Sequence, residues 1–241
     1  MVPLLMTRPL AGAERFADGL PAAARAGLQI IYAPLMEIRP ATGPIELQGV
    51  KGVIFTSLNG VDAASRETVT RLPAFCVGQR TSQAAAKAGW QAMCLGETAE
   101  TLIAALQKQP PQGQLLHLRG AFARGEIAAR LSSAGIPCRA QIVYDQVLLP
   151  LTEEAQAVLS AQNDVIVPLF SPRTARHFAN LCGDASHLHL IALSPAVAEP
   201  LAGLNCKALR VSKAPDAAAM TEAVLDAAAQ LSRLEGDWRA E

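Results

Sequence analysis

Short apolar runs alternate with longer Ala- and Leu-rich stretches along this chain, the pattern of buried parallel strands connected by helices. The runs at 2–6, 52–56, 74–77, 91–95, 115–118, 165–170, 188–193 and 208–211 predict strands. Stretches 28–35 and 141–149 read as extended, with Pro34 limiting how far the first can lie inside a sheet. Apolar positions at helical spacing predict helices over 13–26, from about 60, and over 81–88, 98–107, 125–133, 174–181, 196–201 and 217–231. Gly27, Gly89 and Gly135 stand where three of these helices should stop. The tail 236–241 is expected to fray.

Pro110-Pro111-Gln112-Gly113 is the clearest punctuation, and after it the same order of elements starts again. Arg8 answers to Arg119, Gly27 to Gly135, Ser57 to Ser171 and Gly78 to Ser194, at a nearly constant offset. This predicts a tandem duplication with insertions and deletions confined to loops. Two similar α/β units imply two open sheets, whose ligands bind at the carboxyl ends of the strands.

With 241 residues the chain has room for one large domain or two smaller ones. At 51% hydrophobic and 17% charged it is too apolar for disorder and can build cores without disulfides or metal. The 21 basic and 21 acidic side chains leave no net charge, which argues against a general binder of nucleic acid or of a membrane surface. Aromatics at 4% leave few rings for stacking bases. The five cysteines contain no CxxC pair and read as free thiols in a reducing compartment. No run is long enough for a membrane span, and segment 1–9 reads as a first strand rather than a secretory signal, so a cytoplasmic protein is expected.

The candidate chemistry lies in the small polar turns after each predicted strand. In the first half these are Thr7-Arg8-Pro9, Thr56-Ser57-Leu58-Asn59, Gly78-Gln79-Arg80-Thr81 and Gly96-Glu97-Thr98. The second half has Arg119-Gly120, Ser171-Pro172-Arg173-Thr174, Ser194-Pro195-Ala196 and Ser212-Lys213-Ala214-Pro215. Each Ser, Thr or Gly taken alone is most simply a helix N-cap. Together, helix N-termini flanked by Arg8, Arg80, Arg119, Arg173 and Lys213 suit a ligand with several carboxylates or phosphates. No turn is a G-x-G-x-x-G, a Walker A or a G-x-S-x-G, so nucleotide binding and serine hydrolysis have no specific support. His187 and His189 share a strand face without a third ligand, which favours an ordinary histidine pair over a metal site. The two tyrosines, Tyr32 and Tyr144, hold matching places in the two repeats. A phenol there serves either as a general acid or as a packed surface with a wet hydroxyl.

In order and spacing, several segments resemble the uroporphyrinogen-III synthase family. They are Thr7-Arg8-Pro9, Phe55-Thr56-Ser57, Phe75-Cys76-Val77-Gly78, Leu118-Arg119-Gly120, Val143-Tyr144-Asp145, Phe170-Ser171-Pro172 and Ser194-Pro195-Ala196-Val197-Ala198. The likeness runs from Thr7 to about Leu231. It implies two flavodoxin-like parallel-sheet domains joined by two extended linkers. One domain would combine 1–36 with 148–241, the other would hold 39–141, and the linkers would be about 37–38 and 142–147.

The resemblance also implies a reaction: cyclisation of hydroxymethylbilane to uroporphyrinogen III, with loss of water and inversion of ring D, through an azafulvene and a spiro pyrrolenine. Tyr144 matches the family tyrosine thought to protonate the leaving hydroxyl. Thr7, Arg8, Ser57, Gly78, Ser171, Pro172 and Ser194 match turns that bind substrate. Thr81, Thr98, Arg119, Gly120, Arg173 and Lys213 join them as turn residues suited to the substrate's eight carboxylates. Two positions depart from the family pattern. Asn59 stands where some members carry Arg, leaving a cationic contact to Arg173 if it is made at all, and Ala196 stands where others have a hydroxyl. The family implies no cofactor. No metal site is expected, a monomer is expected because no helix shows a continuous coiled-coil seam, and a transient contact with the preceding enzyme of the pathway is expected. The competing reading is an intracellular two-domain binding protein or sensor for a polyanionic ligand, without catalysis.

Overall fold

The computed structural model describes residues 1–122 and 125–238. The first half runs β1 (Val2–Met6), α1 (Leu10–Asp18), α2 (Ala22–Ala26), β2 (Leu28–Tyr32), β3 (Met36–Pro40), β4 (Val50–Phe55), α3 (Leu58–Glu67), β5 (Pro73–Cys76), α4 (Gln79–Lys87), β6 (Gln91–Cys94) and α5 (Ala99–Lys108). The second runs β7 (Gln114–Gly120), α6 (Ile127–Ser133), β8 (Cys138–Leu148), α7 (Glu153–Ser160), β9 (Val165–Leu169), α8 (Pro172–Leu181), β10 (Leu188–Ala192), α9 (Pro195–Ala198), β11 (Ala208–Val211) and α10 (Ala217–Trp238).

These elements form two compact units, Met1–Glu37 with Val147–Glu241, and Ile38–Gln146. The first unit holds a sheet in the order β2-β1-β9-β10-β11, parallel throughout. The second holds the order β3-β8-β7-β4-β5-β6, in which the ladders from β8 to β6 are parallel. With β3 set aside at the edge of the second sheet, and strands counted by position within each expected repeat, both sheets have the doubly wound order 2-1-3-4-5. Of those five strands, two lie in one half of the chain and three in the other.

Strand periodicity explains the two-sided cores. In β1, Leu4 and Met6 face α1 and α10 with Phe16, Met220 and Val224, while Leu5 faces α8 with Phe178. In the second unit Phe55, Leu116 and Leu118 pack beneath α3 with Val61 and Ala64, and Ile54 and Leu115 pack under α5 and α6 with Leu102 and Leu131. Burying strands on both faces is what makes them read as near-continuous apolar runs.

The structure differs from the sequence pattern in several places. The single helix expected over 13–26 is two, because Gly19 ends α1 and Pro21 caps α2 with a rigid φ and no N–H to continue the ladder. Met36–Pro40 is a strand, and α7 is a helix that the pattern did not predict. Residues 142–147, expected as a linker, are continuous with β8, which pairs with β7 as far as Tyr144. The tail expected to fray continues as α10 to Trp238, and 239–241 lie outside the described residues. Among the described residues no helix is long and apolar enough to cross a membrane.

Candidate active site

In the second unit the strand order reverses between β4 and β7, whose following helices α3 and α6 pack on opposite faces of the sheet. Such a switch point opens a crevice at the strand ends. Ser57, just past β4, is extended (φ −156°, ψ 154°) and caps α3, its Oγ accepting the Gly60 N–H at 3.1 Å. Tyr144 of β8 lies in register with Gly120 at the end of β7, beside a bulge in the ladder. A Cβ on Gly120 would stand 2.6, 2.7 and 2.9 Å from the ring's Cζ, Cε2 and Oη. The missing side chain therefore lets the phenol lie across β7. The phenol ends with Oη 3.0 Å from Ser57 Oγ. Tyr144 is 5% exposed. Arg119 steadies this strand end, Nη1 donating to the carbonyls of Gly120 (3.0 Å) and Ala121 (3.2 Å).

The neighbouring turns of this unit are largely occupied by their own chain. Gly78, at φ +82°, caps α4 and donates its N–H to the Gly96 carbonyl at 2.8 Å. The Glu97 carboxylate accepts the Gln79 N–H at 3.3 Å, so an internal anion already sits at the α4 N-terminus. Thr81 is buried inside α4, and Thr98 forms a reciprocal capping box with Thr101. Asn59 is half-buried in the first turn of α3.

In the first unit the switch point lies between β1 and β9, with α1 and α8 on opposite faces. Thr7, just past β1, is fully buried and its Oγ1 has no hydrogen-bond partner, although its carbonyl accepts the Leu35 N–H at 2.8 Å. Arg8 lays its guanidinium 4.3 Å above the Phe170 ring and against Gly12, where a Cβ would stand 2.8 Å from Nε. Ser171 repeats the Ser57 cap: φ −147°, ψ 146°, with the Thr174 N–H donated to its Oγ at 3.1 Å. Its hydroxyl donates to Thr174 Oγ1 at 2.8 Å rather than to a tyrosine. Pro172 opens α8 and Arg173 is half-buried beside it. Ser194 starts α9 without a side-chain cap, and Ala196 is exposed. Lys213 pairs with Glu222, which raises its pKa.

Three titratable groups stand apart from these turns. His117 of β7 is buried with Nε2 unpartnered, and burial first, then Arg119, lower its pKa to about 4. Burial raises Cys76 to about 11, with Cys94 adding to it, and raises Cys138 to about 11, which leaves these thiols poor nucleophiles. All five cysteines are free. Among the described residues no group of three or more His, Cys, Asp or Glu can hold a metal ion.

The sequence pattern singled out Tyr144 and the turns but missed two features. The Ser57–Tyr144 contact joins residues 87 positions apart, and Glu97 acts across the gap between two strands. The second had a usable signal, an acidic residue directly after a predicted strand. The first had none.

Two sheets that share a five-strand parallel order, each with a capped helix start at its switch point, place the molecule among two-unit doubly wound α/β proteins. The family model HEM4, uroporphyrinogen-III synthase HemD, matches residues 20–222, and the chain belongs to that family. No curated protein matches the chain closely enough to count as a relative. Its fold is like that of the uroporphyrinogen-III synthetase from Helicobacter pylori 26695 (TM-score 0.67, 18% identity, 94% of this chain and 99% of that one). It is also like a mutant uroporphyrinogen III synthase from the extremely thermophilic bacterium Thermus thermophilus (TM-score 0.54, 13% identity, 95% and 99%).

Proposed function

We propose that this chain is a uroporphyrinogen-III synthase, closing hydroxymethylbilane to uroporphyrinogen III with loss of water and inversion of ring D, and that Tyr144 is its general acid. The observation that carries this reading, in a chain of this family, is the phenol of Tyr144 held at the switch point of the second unit against a capped helix start. Tyr144 gives its proton to the terminal hydroxyl, which leaves as water with the bonding electrons and makes the azafulvene cation. The substituted carbon of ring D, at the other end of the bilane, attacks the azafulvene's exocyclic carbon to form the spiro pyrrolenine. The bond from that ring D carbon to its old bridge carbon then breaks, and the freed bridge carbon rejoins ring D at its unsubstituted carbon, leaving the ring inverted. The carbon that closes the ring then sheds its hydrogen as a proton, and the phenolate takes it back. No electrons are gained or lost, so the reaction draws on no redox cofactor.

Substrate carboxylates fall to the strand-end turns of each unit. Thr7 supports this best, because a fully buried hydroxyl without a partner is costly unless a ligand completes it. Arg8, stacked and pre-positioned, together with Ser171, Arg173, Ser194 and the α3 start at Asn59, serve the same end. Gly78, Thr98 and Lys213 contribute less, since the Gly96 carbonyl, Thr101 and Glu222 already engage the groups they would offer. The matched strand orders and the twin caps at Ser57 and Ser171 support descent of the two repeats from one duplicated unit. We place the enzyme in the cytoplasm as a monomer that meets the preceding enzyme of its pathway transiently, since its substrate closes spontaneously to isomer I if left free.

The test is to mix the protein with freshly generated hydroxymethylbilane and separate the isomers. Isomer III is the expected product. Isomer I alone, formed at the spontaneous rate, would reduce the protein to a binder or sensor.

A further inference from the structure

We propose that Ser57 is a positioning residue for Tyr144, donating its hydroxyl hydrogen to the phenol oxygen so that the phenol's own hydrogen stays free for the substrate. The inference rests on the reading of Tyr144 as the acid. A serine hydroxyl has one hydrogen and two lone pairs. One lone pair of Ser57 Oγ is engaged by the Gly60 N–H at 3.1 Å, and Tyr144 Oη lies 3.0 Å away. An oxygen that accepts a hydrogen bond becomes a better donor, and the positive end of α3 strengthens that polarity. The chain therefore runs Gly60 N–H to Ser57 O–H to Tyr144 O–H. Negative charge that develops on the phenol oxygen as it gives up its proton meets a donor backed by a helix N-terminus.

The glycine at 120 completes the seat, because any side chain there would occupy the space of the ring. Other ionisable side chains on the packed elements are engaged or turned away. Arg119 serves the carbonyls of Gly120 and Ala121, and Asp145 accepts the Gln146 N–H. His117 alternates to the opposite face of β7 from Leu116 and Leu118, and Lys51, Asp62, Arg66 and Glu67 are exposed. The repeat-related site provides a comparison within the molecule. Ser171 keeps the same cap but spends its hydrogen on Thr174, so only one of the two repeats has joined its cap to a phenol.

The chain has only two tyrosines, so Tyr32→Phe leaves Tyr144 as the sole reporter. In that background the tyrosine Fermi doublet in ultraviolet resonance Raman spectra separates a phenol that accepts from one that only donates. Ser57→Ala should lower the ratio of the doublet's high- to low-frequency bands, as acceptance is lost. It should also reduce kcat by about tenfold to a hundredfold with KM little changed. Ser57→Thr, which keeps the oxygen, should restore both. Thr152→Ala removes the same kind of cap from α7 and should lower the melting temperature comparably without moving the doublet. An unchanged or raised ratio in Ser57→Ala, or a kcat loss no larger than that of Thr152→Ala, would overturn the proposal. Should Tyr144→Phe itself keep full turnover, the failure belongs to the acid assignment; the doublet still reports the Ser57 contact separately.

Discussion

Tyr144 has a neighbour in the sequence repeat but not in the chemistry. Positioned proton donation is worth about 10²- to 10⁴-fold, so Tyr144→Phe should lose that much in kcat while the protein stays folded. The residual product should remain isomer III, since the turns still template the ring. Tyr32, half-buried against the core of the first unit and without a corresponding serine contact, should tolerate Phe with little loss. A Tyr144→Phe enzyme of normal rate that yields isomer I would assign the phenol to steering instead. His117 supports a prediction of another kind. Its folded-state pKa of about 4 lies below the ordinary value of 6.5, so the unfolded chain takes up a proton first as pH falls. Stability should therefore decline between pH 6.5 and about 4, by about 3 kcal/mol from this group. Urea unfolding of His117→Leu should show that part of the decline removed; an identical pH slope would mean that other groups carry it.

At the scale of elements, the strand end at Gly120 is the most constrained place in the second unit. The Cβ of Gly120→Ala meets the far end of the Tyr144 ring, which can swing off only by breaking its contact with Ser57. Activity should therefore fall nearly as far as in Tyr144→Phe, while chemical unfolding shows a loss of only about 1–3 kcal/mol. A Gly120→Ala enzyme with full turnover would show that the ring does not need its seat. The helix starts at Ser57, Thr98 and Ser171 were legible from local chemistry, because a Ser or Thr cap acts within three residues of itself. The break between α1 and α2 was legible in principle from Gly19 and Pro21, and was hidden by the Ala-rich helical spacing on either side.

On the scale of the whole molecule, anion recognition is distributed over many strand ends, and its loss should be graded. Arg8→Ala should weaken substrate binding by only about 1–3 kcal/mol, read as a raised KM with the fold intact. Abolished activity in folded Arg8→Ala would give that guanidinium a more central part. The alternation of apolar strands and amphipathic helices and the turn after each strand were readable from the chain, because each depends on residues close together in sequence. Strand order was not. Nothing in the pattern of β1 or β7 says that the first pairs with β9 and the second with β4, since neighbours in a parallel sheet are chosen by long-range packing of both faces. The same holds for the site. Sequence alone marked Ser57 as a cap and Tyr144 as a tyrosine before a crossing. Only the folded sheet, by setting β8 beside β7 and leaving Gly120 bare between them, turned a helix cap and a distant phenol into one hydrogen-bonded group.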